Sequence, residues 1–221
     1  MEGWTRQFSG VYPAVVIDNV DPANSGRVQV RLPQLSGAGE ASNEAWARVA
    51  TLMAGNNRGT WFMPDVNDEV LVAFEGGDVR LPYVIGALWS GTHLPPETMD
   101  TDNTKKLLRS RSGVKITLDD QSGQQSLIVE TPGGQKIMLK DGPGSVEITD
   151  TSGNSVRLEP SGVTVNSSAK VTINAGAVEI NSGIFSVNAA LSKFSGAVQC
   201  DTLLSNSVVS ASCSPGAGNV W

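Results

Sequence analysis

The sequence predicts an all-β protein in two parts, a small antiparallel barrel followed by a β-solenoid. Three observations carry this. Between residues 10 and about 92, runs of apolar/polar alternation recur roughly every ten residues with turn residues between them. From about residue 107, apolar residues spaced one apart recur in pairs, with Gly between most pairs. Composition agrees, since 24 glycines and 17% charged residues suit a turn-rich β protein better than a helical one.

The first part reads as five or six strands. Residues 14–20 form an apolar run, and Asp21-Pro22-Ala23-Asn24-Ser25-Gly26 is a turn cluster. Residues 27–33 alternate, with Val28, Val30 and Leu32 on one face. Residues 45–52 (with Trp46) and 59–63 (with Trp61) read as further strands. After the turn Pro64-Asp65-Val66-Asn67-Asp68, residues 69–74 place Val70, Val72 and Phe74 on one side. Glu75-Gly76-Gly77-Asp78 signals a hairpin into a last strand over 81–88. Short strands at this spacing predict a small barrel. Residues 93–106 are polar and Pro-rich and read as a linker, giving a division into 1–92, 93–106 and 107–221.

The second part repeats the pairs Val114/Ile116, Leu127/Val129, Ile137/Leu139, Val146/Ile148, Val156/Leu158, Val163/Val165, Val171/Ile173, Val178/Ile180 and Phe185/Val187. Their spacing starts near ten residues and settles at seven or eight after Val163. Each unit is one short strand and a turn. Charge fades along the repeat, and beyond Ser161 only Lys170, Glu179, Lys193 and Asp201 remain. Residues 189–221, where the pairs lose regularity, read either as more of the repeat or as a Ser/Ala tail.

Several chemistries lack their residues. The net charge is −6 and no basic block stands out, which argues against nucleic-acid binding. Lys105, Lys106, Arg109 and Arg111 form the densest basic group and read as solvated linker. The one histidine, His93, supplies neither a metal site nor an acid–base pair. Asp119-Asp120 and Asp65/Asp68/Glu69 fall in turn patterns, as solvated acids rather than a catalytic pair. Gly76-Gly77 and Gly133-Gly134 read as turn glycines, since no helix follows to complete a phosphate site. Cys200 and Cys213 make no disulfide framework and read as small buried apolar residues, although threefold repetition would allow a metal-binding or cross-linked ring. No catalytic residue, metal or cofactor is expected. Met1-Glu2-Gly3-Trp4 has no secretory pattern, so synthesis in the cytoplasm without a signal peptide is expected.

Particular blocks then resemble a known family. Trp46-Ala47-Arg48-Val49-Ala50 and Ala54-Gly55-Asn56-Asn57-Arg58-Gly59 are similar to a block of the phage baseplate spike family, which includes the VgrG proteins of type VI secretion and the spikes of extracellular contractile injection systems. The run from Phe62-Met63-Pro64 to Gly76-Gly77-Asp78 resembles that family closely, as does Pro82-Tyr83-Val84-Ile85-Gly86-Ala87-Leu88-Trp89. Arg109-Ser110-Arg111-Ser112-Gly113-Val114-Lys115-Ile116 resembles the entry into the family's β-helix, and Thr131-Pro132-Gly133-Gly134-Gln135-Lys136-Ile137 the segment after it. The resemblance covers about residues 12–140. It implies an oligonucleotide/oligosaccharide-binding (OB) barrel and an intertwined triple-stranded β-helix made by a homotrimer. It also implies a non-enzymatic needle in a phage tail-like or extracellular contractile particle, reaching the target cell membrane transiently. A separate hub protein is implied at the barrel end, because the hub region of VgrG is missing from this sequence, and a PAAR-like tip protein at the other.

On this reading Val163, Val165, Val171, Ile173, Val178, Ile180, Phe185 and Val187 form the trimer core. Cys213, Val220 and Trp221 are candidates for docking the tip protein. Period alone leaves a monomeric β-helix open as a rival geometry. The alternative functions are a phage tail spike or baseplate assembly protein V, and a non-enzymatic glycan- or nucleic-acid-binding protein.

Overall fold

The computed structural model describes residues 8–35 and 43–209, and the chain divides after Lys170 into two units. The first unit opens with strands β1 (Val11–Asp18), β2 (Arg27–Arg31) and β3 (Glu44–Val49). A two-residue ribbon follows, β4 (Ala54–Gly55) and β5 (Arg58–Gly59), and then β6 (Glu69–Phe74) and β7 (Pro82–Leu88). Five of these strands close a barrel in the order β1-β2-β3-β7-β6.

The alternation read from the sequence is what closes it. Val28 and Val30 from β2, Val70, Val72 and Phe74 from β6, and Ala14 and Val16 from β1 point inward with Leu32, Ala47 and Val84. Burying each of the larger side chains contributes roughly 1.5–3 kcal/mol. Phe8, Tyr12 and Phe74 stack against one another at this core, with ring centroids 5.5–5.9 Å apart. Extra residues at Ile17 in β1 and Ile85 in β7 shift the register and coil the strands, as a closed barrel requires.

Two expectations change here. The barrel is not wholly antiparallel, because β3 and β7 run parallel, pairing Arg48 with Tyr83 and Val49 with Val84. A ring of five strands cannot alternate direction all the way round. Residues 60–63 are not a strand either. Thr60 donates its N–H to the Met53 carbonyl at 3.0 Å, and the chain leaves the ribbon with Trp61 and Phe62 exposed.

The same unit continues into a seven-stranded antiparallel meander. Its strands are β8 (Lys105–Arg109), β9 (Lys115–Asp119), β10 (Ser126–Glu130), β11 (Lys136–Lys140), β12 (Ser145–Thr149), β13 (Ser155–Glu159) and β14 (Gly162–Asn166), each paired with the next. β8 starts inside the stretch read as linker, so Lys105, Lys106 and Arg109 are strand residues. Val114 is not a strand residue. Its carbonyl accepts the Ser110 N–H at 2.9 Å and closes the β8–β9 turn, so the facing pair in β9 is Ile116 and Leu118. Side chains close several other turns. Asp150 accepts the N–H groups of Ser152 and Asn154, Asp119 accepts that of Gln121, and Thr131 bonds Gln135. Gly134, at φ 85°, supplies the left-handed position of its turn.

The second unit behaves differently. Among its described residues, 171–209, no strand is formed, no backbone–backbone hydrogen bond is made, and every residue is exposed.

Candidate assembly surfaces

The register of the meander puts its apolar pairs on one face. Leu108 opposes Ile116, Leu118 opposes Leu127, and Leu127 opposes Leu139. The row continues through Ile137 and Ile148, Val146 and Leu158, and Leu158 and Val163. Lys115, Thr117, Ile128, Glu130, Met138, Glu147 and Arg157 occupy the other face.

In a single chain this sheet is inside out. Ile137 and Leu139 are each 43% exposed, whereas Thr117 on the polar face is buried. The polar face covers itself with long side chains and ion pairs, Lys115 to Glu130 at 2.7 Å and Arg157 to Glu147 at 2.5 Å. The Lys115 ammonium holds the Glu130 carboxyl below its ordinary range. Thr117 Oγ1 is buried there without a hydrogen-bond partner. A continuous row of Ile, Leu and Val left to water marks an assembly face.

The eight residues predicted to form a trimer core lie partly on this row and partly beyond it. Val163 and Val165 sit on β14, and the other six fall in the second unit. All eight are exposed in the chain. Fourteen large apolar residues of 171–209 are exposed altogether, from Val171 to Val209. Cys200 is exposed and unpaired. Cys213, Val220 and Trp221 lie outside the described residues.

The barrel carries a second apolar surface, which the sequence did not single out. Leu52 is 95% exposed, Trp61 76% and Phe62 73%, with Met53 beside them. The surface is held in shape. Thr51 bonds Thr60 across the neck of the ribbon, and the Trp61 ring packs on Gly26. Gly59, at φ 153°, lies so close to the Met53 carbonyl that a Cβ there would stand 2.5 Å from it. The signal available in sequence was Trp61-Phe62-Met63 after a Gly-rich ribbon, too apolar a run for a solvated loop.

The polar groups of the barrel are tied into its architecture. Asp21, almost wholly buried, accepts backbone N–H groups from Ala23, Ser25 and Arg27 and pairs with the Arg27 guanidinium at 2.8 Å. The hydrogen bond from Arg27, supported by the backbone donors, drives the Asp21 carboxyl far below its ordinary value, against the opposing effect of burial. Arg27 also lies over the Trp46 ring, Arg31 pairs with Glu44, and Arg48 lies over the Tyr83 ring. Of the acids weighed as catalytic, Asp68 accepts the Asp65 N–H, Asp65 pairs with Arg111 at 2.9 Å, and Asp119 closes its turn. His93 is exposed, its backbone N–H bonded to Ser90 Oγ. Among the described residues no cluster of three His, Cys, Asp or Glu is placed to hold a metal, and no helix is long and apolar enough to cross a membrane.

Both parts of the first unit carry family matches. Residues 12–89 match the type VI secretion system/phage-baseplate injector OB domain, and residues 126–186 match the phage baseplate V C-terminal trimerisation domain. The chain therefore carries an injector OB-domain match followed by a trimerisation-domain match. Among curated proteins it is similar to the type VI secretion system spike protein VgrG3 of Vibrio cholerae, 31% identical over 48% of this chain and 11% of that protein. It is also similar to the spike protein VgrG4b of Pseudomonas aeruginosa, 32% identical over 47% of this chain and 14% of the relative. A third relative is the actin cross-linking toxin VgrG1 of Vibrio cholerae, 30% identical over 46% of this chain and 10% of its own length. The chain thus spans only about a tenth to a seventh of these three relatives.

Proposed function

We infer that the chain is a structural homotrimeric spike, the central needle of a contractile injection baseplate, in a phage tail-like or extracellular particle. One observation carries this reading. Residues 171–187 keep the apolar alternation of a strand but find no partner in their own chain. Ordering a residue's backbone costs roughly 1–2 kcal/mol, and nothing within this segment offsets it. Two further copies would supply both the missing ladder bonds and the cover for the apolar rows. The trimerisation-domain match, which runs to residue 186, supports the same stoichiometry. A monomeric β-helix, the rival geometry, would pair these residues with other coils of the same chain.

In the trimer, Val163, Val165, Val171, Ile173, Val178, Ile180, Phe185 and Val187 face a common axis and give a closed shaft that transmits axial force. The division into a barrel over 1–92, a linker over 93–106 and a shaft over 107–221 belongs to this reading, with the linker's last residues already paired in β8. Leu52, Met53, Trp61 and Phe62 seat the barrel on a separate hub protein. The C-terminal end, including Cys213, Val220 and Trp221, receives a PAAR-like tip protein, and the target cell membrane is met transiently. The needle performs no catalysis, uses no cofactor and binds no nucleic acid.

Mass measurement of the purified chain tests the central reading. A trimer is expected, and a stable monomer would overturn it. Peptidoglycan cleavage, or tight single-strand binding at physiological salt, would refute the non-catalytic, non-nucleic-acid part. Trp61→Ala with Phe62→Ser should leave the trimer intact and remove the spike from assembled particles. Normal incorporation of that variant would sink the hub seat.

A further inference from the structure

Beyond the apolar pairs, the repeat from Val163 onward carries a polar residue at a fixed place. Each of the last four regular units has the form apolar-x-apolar-Asn. They are Val163-Thr164-Val165-Asn166, Val171-Thr172-Ile173-Asn174, Val178-Glu179-Ile180-Asn181 and Phe185-Ser186-Val187-Asn188. Because strand side chains alternate, each Asn falls on the face opposite the apolar pair.

The first member shows what such an Asn does when its neighbouring strand is present. Asn166 closes β14 directly opposite Ser155 of β13, and its side-chain amide donates to Ser155 Oγ at 3.1 Å. Asn154, in the turn before β13, also reaches the segment after β14, its Oδ1 accepting the Ser168 N–H at 3.0 Å. Asn174, Asn181 and Asn188 have the same place in their units but no adjacent strand in their own chain, and the Asn181 amide turns instead to Glu179 Oε1 at 3.0 Å, a bond that the neighbouring copy's acceptor would replace.

We propose that Asn166, Asn174, Asn181 and Asn188 form an amide row that fixes the register between copies of this chain, each of the last three donating to a neighbouring copy as Asn166 donates to Ser155. This rests on the trimeric reading above. The need for such a device follows from the repeat. A slip of two residues returns every apolar side chain to the same face, so apolar burial alone discriminates poorly between registers. A slip of two carries the amide past its acceptor. The acceptor here is a hydroxyl or carbonyl oxygen at the start of the neighbouring strand. Slips by a whole unit are opposed differently, because the step from Asn166 to Asn174 is one residue longer than the two steps after it.

An asparagine before Ala-Gly or Ser-Gly also suits the first position of a turn, and Asp serves there equally well. The substitution Asn→Asp therefore separates the two roles, since it keeps a turn-forming acceptor and removes the amide donor. The experiment is the full chain carrying N174D, N181D and N188D together, with N206D, an asparagine outside the repeated form, as control. Melting is followed in about 1 M salt, where screening over ~3 Å suppresses repulsion between exposed carboxylates. The parent and N206D should be trimers with the same melting temperature. The triple variant should remain a trimer by mass and melt lower by about 5 °C or more. If it does not assemble, N174D alone is read in the same way. A triple variant that melts with the parent would overturn the amide row and leave the trimer standing. A monomeric parent would remove the trimer itself, and the two failures are distinguishable by mass.

Discussion

Ile137 and Leu139 in β11, and Val171 and Ile173 beyond Lys170, hold equivalent positions in the same two-residue alternation, yet their backbones end differently. β11 is bonded on both sides by its own chain, to β10 and β12. The backbone around Val171 has no partner of its own. Turn chemistry accompanies the difference. Upstream units are spaced near ten residues and carry side chains that close their turns, such as Asp119, Thr131 with Gln135, and Asp150. Downstream connections shorten to forms such as Asn174-Ala175-Gly176-Ala177, without an acid or a Thr–Gln pair to fold the chain back. The meander is thus a sheet completed within one chain, lacking only cover for its apolar face. The tail is a strand sequence lacking both cover and ladder. In the proposed trimer, association would have a different task in each, side-chain burial in the first and strand pairing in the second.

The strongest test places a charge in each region. Ile173→Asp sets three carboxylates near one axis where the ladder itself depends on association. Burial penalises each charge and like charges repel, so loss of the trimer is expected at neutral pH. Val171→Asp should act alike. Ile137→Asp puts the same charge on a face whose strands pair within the chain. It should weaken the trimer while leaving β-structure in the dissociated chain. Circular dichroism with mass measurement reads both, and equal loss of strand signal in the two variants would erase the distinction.

Amide hydrogen exchange gives the next largest contrast. Amides of β8–β14 should retain protection when the trimer is diluted to monomers, because their acceptors are in the same chain. Amides in 171–187 should be protected only in the trimer. Protection of the tail in a monomer would mean that it pairs with itself.

Acid should separate the regions more gently. Asp21 has its pKa held below its ordinary value of 3.8 by Arg27, and Glu130 and Asp150 are lowered by Lys115 and Asn154. For a lowered acid the unfolded state takes up its proton first as pH falls. The stability it contributes is complete above about pH 5 and is lost progressively below it. The described tail has only Glu179 and Asp201 as acids. The barrel and sheet should therefore weaken below about pH 5 before the tail dissociates. Asp21→Asn should lower barrel melting by several degrees and flatten that acid limb without changing the oligomeric state. An unchanged acid limb would show that the Asp21–Arg27 pair contributes little.

Much of this organisation was legible in the residues. Strict alternation gave β2 and β6 with their inward valines, and Gly-punctuated pairs gave most of the meander. The misses have local causes. β8 reads Lys-Lys-Leu-Leu-Arg, with no alternation to betray a strand, and its lysines sit on a stretch whose prolines signal a linker. Val114 looked like half of a pair but is spent closing a turn. Residues 59–63 have a strand's composition, but Gly59 and the Met53 carbonyl divert the chain. The parallel contact of β3 with β7 follows from ring closure, which no local pattern records. The exposed surface at Leu52, Trp61 and Phe62 is hidden in sequence because a strand over 59–63 would place Trp61 in the barrel wall.

The smallest effect asks which face of the meander is covered in the assembly. Thr117 lies on the polar face between Leu107 and Ile128, buried, with its hydroxyl unbonded. A buried hydroxyl without a partner costs about 1–3 kcal/mol of desolvation, whereas Val fills nearly the same volume without that cost. If the apolar face turns to the axis, as its exposed Ile and Leu row demands, no second copy reaches Thr117. Thr117→Val should then stabilise the sheet by about 1 kcal/mol, in monomer and trimer alike. If the polar face were the covered one, another chain could bond the hydroxyl, and the substitution would weaken the trimer while still stabilising the dissociated chain. Melting of the assembled and dissociated forms decides between them. A trimer weakened by Thr117→Val would require the interface to be redrawn on the Lys115–Glu130 side of the sheet.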